Sequence, residues 1–169
     1  MNELSTSEKI KYSAVDIAKF VKKELKKLYL NCKFSIGSKY YSGGMSISCS
    51  LMESDFQVIE DFDKIPEETL FSYEHNSNYK REELKDFQSK KYHQLNQYTL
   101  RQDYNLRNWC NGVFLTKEGH EMFKKVVECF DQYNWNHSDI SIDYFDVHFY
   151  LDLEIGKWDK DYIYMEKKL

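Results

Sequence analysis

Residues 145–155 read FDVHFYLDLEI, and their alternation decides the fold class. Phe145, Val147, Phe149, Leu151, Leu153 and Ile155 fall on one side of a period-two pattern. Asp146, His148, Tyr150, Asp152 and Glu154 fall on the other. Successive side chains of a strand point to opposite faces, so the pattern predicts a half-buried strand over about 144–155. That length is long for a strand and favours a central place in a sheet. Gly156 ends it, and Tyr162, Ile163 and Tyr164 fit a short edge strand.

The same period recurs upstream. Cys32, Phe34 and Ile36 alternate with polar residues, as do Met45, Ile47, Cys49 and Leu51 with Ser46, Ser48 and Ser50. This predicts an antiparallel hairpin over about 32–51, with an exposed loop from Gly37 to Gly44 presenting Tyr40 and Tyr41. The period changes to the helical one in two places. Ser13 with Asp16 has the form of a capping box, and Ala14, Ile17, Ala18, Val21, Leu25 and Leu28 make an apolar stripe over about 13–30. Thr116 precedes the second stripe, Met122, Phe123, Val126, Val127, Phe130 and Tyr133, over about 116–135. The reading is α+β: a mainly antiparallel sheet with both helices packed on one face.

At 169 residues the chain is one domain. Residues 1–12 read as a mobile arm and 13–169 as the domain, with a polar excursion over about 63–97 that includes a helix near 81–91. Ser54 is expected to cap a short helix carrying Phe56, Ile59 and Phe62, and 98–106 has an ambiguous pattern compatible with a strand. No apolar run is long enough for a membrane helix, and Met1–Lys11 is polar, so a cytoplasmic protein of a bacterial host cell is expected. Cys32, Cys49, Cys110 and Cys129 have no metal-knuckle spacing and read as four reduced thiols. No cofactor is expected.

Charge and composition bound the function. The chain has 21 Lys against 3 Arg and only two Ala, with abundant Asn, Ile and Tyr, a bias toward AT-rich codons found in low-GC bacteria and their mobile elements. Three arginines are few for reading bases through the planar guanidinium fork. The net charge is −4, but residues 53–74 carry −7 and 131–169 carry −5, leaving +8 elsewhere. If the acidic stretches converge they form an acidic, aromatic surface suited to a basic partner, with Tyr40, Tyr41, Asp61, Asp63, Asp139, Asp143, Asp146, Asp159 and Asp161 as the contact residues. If they do not, they serve solubility. The lysines of the first helix, Lys22, Lys23 and Lys26 foremost, are either a rail for nucleic acid or a solvated face. His137, Asp139, Asp143, Asp146 and His148 crowd together, and Asp146 and His148 share one face of the expected strand. They would suit a metal ion or an acid–base pair, or equally an ordinary polar sheet face.

Two stretches carry a family resemblance. One is Lys33-Phe34-Ser35-Ile36 with Tyr41-Ser42-Gly43-Gly44 after the first helix. The other is Asn134-Trp135-Asn136, Ser138-Asp139, Asp143-Tyr144-Phe145-Asp146-Val147, Phe149-Tyr150 and Ile155-Gly156. Together, over roughly 12–60 and 115–160, they resemble the large polyvalent protein associated domain family, number twenty-nine; residues 63–112 carry none of the likeness. The resemblance implies a protein of phages or conjugative elements that travels with incoming DNA, and it brings no reaction or catalytic set. The expectation is a non-enzymatic interaction protein that counteracts a host defence such as CRISPR or restriction by binding a nucleic-acid-handling protein, with a homodimer compatible. The alternatives are a nucleic-acid-binding accessory domain and a metal-dependent enzyme built on the Asp/His strand.

Overall fold

The computed structural model describes residues 12–77, 79–105, 110–138, 141 and 146–166. The elements are α1 (Ala14–Leu28), β1 (Lys33–Tyr41), β2 (Gly44–Ser54), a 3-10 turn (Phe62–Lys64), α2 (Glu67–Ser77), α3 (Arg81–Ser89), β3 (His93–Leu95), α4 (Gln97–Leu100), α5 (Lys117–Asp131), β4 (Tyr150–Ile155) and β5 (Ile163–Tyr164). The class is α+β. The strands form one open sheet in the order β1-β2-β4-β3, with β5 beside the end of β2. The antiparallel pairs, β1–β2 and β3–β4, make up most of the ladder. The sheet is nevertheless mixed, because β2 pairs with β4 in parallel and β5 joins β2 in the same sense. A parallel pair needs a long crossover, and everything from 55 to 149 supplies it.

Both long helices start where their caps place them. The Ser13 hydroxyl accepts the Asp16 N–H at 3.2 Å, and the Thr116 hydroxyl accepts the Gly119 N–H at 3.0 Å. The Asp16 carboxylate accepts the Ser13 hydroxyl proton, departing from a reciprocal capping box. Ala14, Ile17, Ala18, Val21 and Leu25 of α1 and Met122, Phe123, Val126, Val127 and Phe130 of α5 are buried in one core with Ile47, Cys49 and Leu51 of β2 and Leu151, Leu153 and Ile155 of β4. Leu28 departs from its expected stripe and is exposed, since α1 ends there. Tyr12, assigned to the arm, packs edge-on against Phe20 and Tyr133; residues 1–11 lie outside the described residues.

Several expectations are corrected. The long strand is shortened to Tyr150–Ile155, with residues 142–145 outside the described residues. Ahead of it, 146–149 zips irregularly onto 134–138. The Asn134 side chain donates to Phe149 O and accepts the Phe149 N–H, and the His137 N–H donates to Asp146 O at 2.8 Å. Phe149 is buried as the alternation requires, but so is His148, whose ring stacks on Trp135 at 4.0 Å. The hairpin loop shrinks to Ser42-Gly43, with Gly43 at φ 94, and the strands run through Tyr40 and Tyr41. Ser54 ends β2 instead of capping a helix; its hydroxyl bonds Phe56 O. Residues 97–100 are helical, started by the Asn96 side chain. The excursion is tied back to the core, because β3 pairs with β4 and Leu95 is buried. It also contains α2, where Pro66 followed by Glu67 and Glu68 favours a helix start.

The four cysteines are free thiols, with Cys49, Cys110 and Cys129 buried. Burial pushes the Cys110 and Cys129 thiols up to about 12. Among the described residues no helix is long and apolar enough to cross a membrane.

Two outcomes test this core. Phe149 sits edge-on to Phe130, and Phe149→Ala should lower unfolding free energy by ~3–5 kcal/mol in a denaturant titration. His93 and His120 are buried, and burial lowers the pKa of both. The unfolded chain therefore binds protons that the folded chain refuses as pH drops below about 6.5. Stability should fall from pH 7.5 to 5.5, and the double variant His93→Gln, His120→Gln should flatten that slope.

Candidate functional site

The register assigns every strand residue to a face. Ile47, Cys49 and Leu51 share the helix-covered face with Leu151, Leu153, Ile155, Phe34 and Ile36. The opposite face carries Ser35, Gly37, Lys39 and Tyr41 from β1, Ser46, Ser48 and Ser50 from β2, Tyr150, Asp152 and Glu154 from β4, and Gln94 from β3. Both long helices pack on the other side, so this outer face stands open over Gly37, Lys39, Tyr41, Tyr150 and Asp152, all exposed. It closes toward Ser50 and Ser54, which are buried.

The floor of the open face is made of small residues. A Cβ on Gly37 would lie 3.1 Å from the Ser48 hydroxyl, so even one added methyl group would crowd it. Above the floor stand two carboxylates on the same face of one strand. Glu154 is oriented by hydrogen bonds donated by the Ser50 hydroxyl at 2.7 Å and the Tyr92 hydroxyl at 3.3 Å. Asp152 has no hydrogen bond or ion pair among the described residues. Desolvation, then the Glu154 charge, raises its carboxyl pKa. Desolvation, then neighbouring Tyr150 and Asp152, raises the Tyr41 hydroxyl in the same way. The result is an acidic patch bordered by tyrosines, and only Tyr41 of it was singled out from sequence. Asp152 and Glu154 were visible as the polar side of the strand; what marks them is the bare parallel pair beneath.

The other expected contact residues are scattered. Tyr40 lies on the helix side, where its hydroxyl accepts the Ala14 N–H at 3.0 Å and helps cap α1. Asp61 and Asp63 line a cleft of about 630 Å3 between the 57–64 segment, α3 and Tyr164, but lysines share it. Asp61 pairs with Lys64 and Asp63 with Lys85, while Arg81 bridges Glu67 and Glu74. Two cations of the stretch that follows, Arg81 and Lys85, thus pair with acids of the −7 stretch, while Lys64 belongs to that stretch itself. Asp159 and Asp161 are exposed on a tight turn in which Lys157 and Lys160 exchange backbone hydrogen bonds. At its tip stands Trp158, 84% exposed, and Gly156 before it has φ +67 with Lys91 O against the place a Cβ would take.

Among the described members of the Asp/His cluster, His137 and His148 are engaged differently. His148 spends Nδ1 on Tyr133 O at 2.8 Å and its ring face on Trp135, while Asp146 is 3.6 Å from His137 Nδ1. Asp139 and Asp143 lie outside the described residues. No group of three metal-ligating side chains occurs among the described residues. Lys22, Lys23 and Lys26 are exposed on α1, away from the core.

The described residues form a small mixed sheet with one helix-covered face and one open face that carries Asp152 and Glu154. Residues 12–144 match the model of the large polyvalent protein associated domain 29, and the chain belongs to that family. The matched range includes 63–112, where no likeness was expected, and ends before 145–160. No curated protein and no solved structure matches the chain.

The raised Asp152 carboxyl has a consequence for stability. The folded chain takes up that proton more readily than the unfolded one, so the charged form opposes folding at neutral pH and the penalty fades as pH falls through the folded value. Asp152→Asn should raise the thermal midpoint at pH 7 and leave it unchanged at pH 3, measured by circular dichroism.

Proposed function

We propose that this chain is a non-enzymatic interaction protein of a phage or plasmid that occupies a nucleic-acid-handling protein of the host and so counteracts a defence system such as CRISPR or restriction. The observation that carries the reading is the bare outer face. Asp152 and Glu154 stand together there without an ion pair among the described residues, beside Tyr41 and Tyr150. A covering partner of positive charge would answer these two carboxylates. Asp159 and Asp161, exposed next to Trp158, extend the contact surface of the same partner. Membership of a polyvalent-protein family supports the mobile-element setting.

A second reading is kept for one observation: Lys22, Lys23 and Lys26 project together from α1 with no ion pair among the described residues, as a backbone-tracking surface for nucleic acid would. The metal-dependent alternative finds no support in the way His148 is used.

The test is establishment of a targeted plasmid in a defence-bearing host that expresses the protein. Asp152→Lys with Glu154→Lys should abolish protection. Asp159→Lys with Asp161→Lys should weaken it, and Lys22→Ala, Lys23→Ala and Lys26→Ala together should leave it intact. If the lysine set abolishes protection and the acid set does not, and the purified protein shifts labelled DNA at low salt, the nucleic-acid reading replaces this one.

A further inference from the structure

The outer face supports a sharper statement, which rests on the reading of it as a docking surface. We propose that it binds an extended, arginine-bearing segment of a protein partner, laid across the serine floor, with a guanidinium group held by the Asp152 and Glu154 carboxylates against a tyrosine ring.

Three features of the face select this occupant. The first is charge. Asp152 and Glu154 are two residues apart on one face, so their Cα atoms are about 7 Å apart along the strand, and like charges so placed oppose each other. Glu154 keeps its orientation through Ser50 and Tyr92, whereas Asp152 has nothing to answer its charge among the described residues. A cation arriving from outside relieves both.

The second is the kind of cation. A guanidinium group is planar, presents a fork of N–H donors to carboxylates and stacks on aromatic rings; an ammonium group does neither of the last two so well. Tyr150, exposed beside Asp152, and Tyr41, whose hydroxyl feels both, supply the rings. The only other charged group on the open face among the described residues is Lys39, at the outer strand β1, where it leaves the β4 side to the carboxylates.

The third is shape. The floor from Ser46 to Ser50, with Gly37 beside Ser48, spans four residue rises, about 14 Å. Short side chains let a peptide backbone come close along that length, and four or five extended residues fill it. A helix, about 10 Å or more across, would need a groove, and the small floor offers none.

Fluorescence anisotropy on the full chain tests the proposal with a labelled octapeptide of alternating Ser and Arg, its Ser-Lys and Ser-Glu counterparts and a labelled single-stranded oligonucleotide as probes. The expected order is Arg peptide about tenfold tighter than Lys peptide, with no binding of the Glu peptide. The double variant Asp152→Asn, Glu154→Gln should lose Arg-peptide affinity by about tenfold or more, and Tyr150→Ala should bring the Arg and Lys peptides together. Glu118→Gln with Glu121→Gln, two exposed acids of α5, should change neither. Circular dichroism confirms that each variant is folded. Equal binding by the double variant overturns the proposal, as does equal loss in the α5 pair, or an oligonucleotide bound more tightly than the Arg peptide. Peptide binding without plasmid protection overturns the functional reading alone. Protection that survives the double variant overturns this proposal and leaves that reading standing.

Discussion

The parallel pairing of β2 with β4 is the constraint on which the rest of the molecule depends. Six consecutive residues of β2, Ser46–Leu51, lie in register with Tyr150–Ile155, and this sets which side chains of both strands enter the core. A slip of one residue would turn Leu151, Leu153 and Ile155 outward and bring Tyr150, Asp152 and Glu154 beneath α1 and α5. The same register creates the outer face. Ser46 meets Tyr150, Ser48 meets Asp152 and Ser50 meets Glu154, so each small residue of β2 has a larger polar neighbour on β4. Core and open face are two sides of one ladder.

The long crossover that parallel pairing requires is held in place by few but specific contacts. Gln88, buried on α3, donates to Glu60 O at 2.8 Å and to Phe114 O at 2.7 Å, and its carbonyl accepts the Phe114 N–H at 2.9 Å. One amide thereby ties α3 to the segment after β2 and to the segment leading into α5. Both ends of the buried amide are satisfied, which makes the position intolerant of an apolar replacement that would remove all three of these hydrogen bonds. A small second core of Ile65, Leu70 and Phe114 packs nearby, with Phe62 against it.

Most of the fold was legible where periodicity is strong and local. The stripes of α1 and α5, their Ser13 and Thr116 caps, and the alternation in β2 and β4 all follow from side-chain direction over a few residues. The parallel sense of β2–β4 was not legible, because alternation reads the same in either direction and only the route of the crossover decides it. The strand over 144–155 was overextended for a related reason: Asp146, Val147 and His148 keep the period, but Asn134 and Trp135 engage the backbone and the His148 ring. α2 was missed because only Thr69 and Leu70 are buried, leaving no stripe. Of the candidate contact residues, Tyr40, Tyr41, Asp61, Asp63, Asp159 and Asp161 are exposed, with the Tyr40 hydroxyl also bonded to the α1 N-terminus. Pairing within and just after the acidic segment was not legible either, since Lys64, Arg81 and Lys85 fold back onto acids that precede them.

The separation of β2 from β4 in the chain also governs how the protein is made. On the ribosome the β1–β2 hairpin emerges early, while the strand that completes its inner edge follows about a hundred residues later, roughly 5–20 s at ordinary translation rates. Throughout that interval β2 presents an unpaired edge to every other nascent chain nearby. Ser46, Ser48 and Ser50 make that edge polar on one side and poor in the branched side chains that drive strand association, and the twisted hairpin is further broken by the irregularity between Lys33 and Phe34. The serines that form the floor of the outer face thus give the half-made sheet an edge of low pairing tendency until β4 arrives.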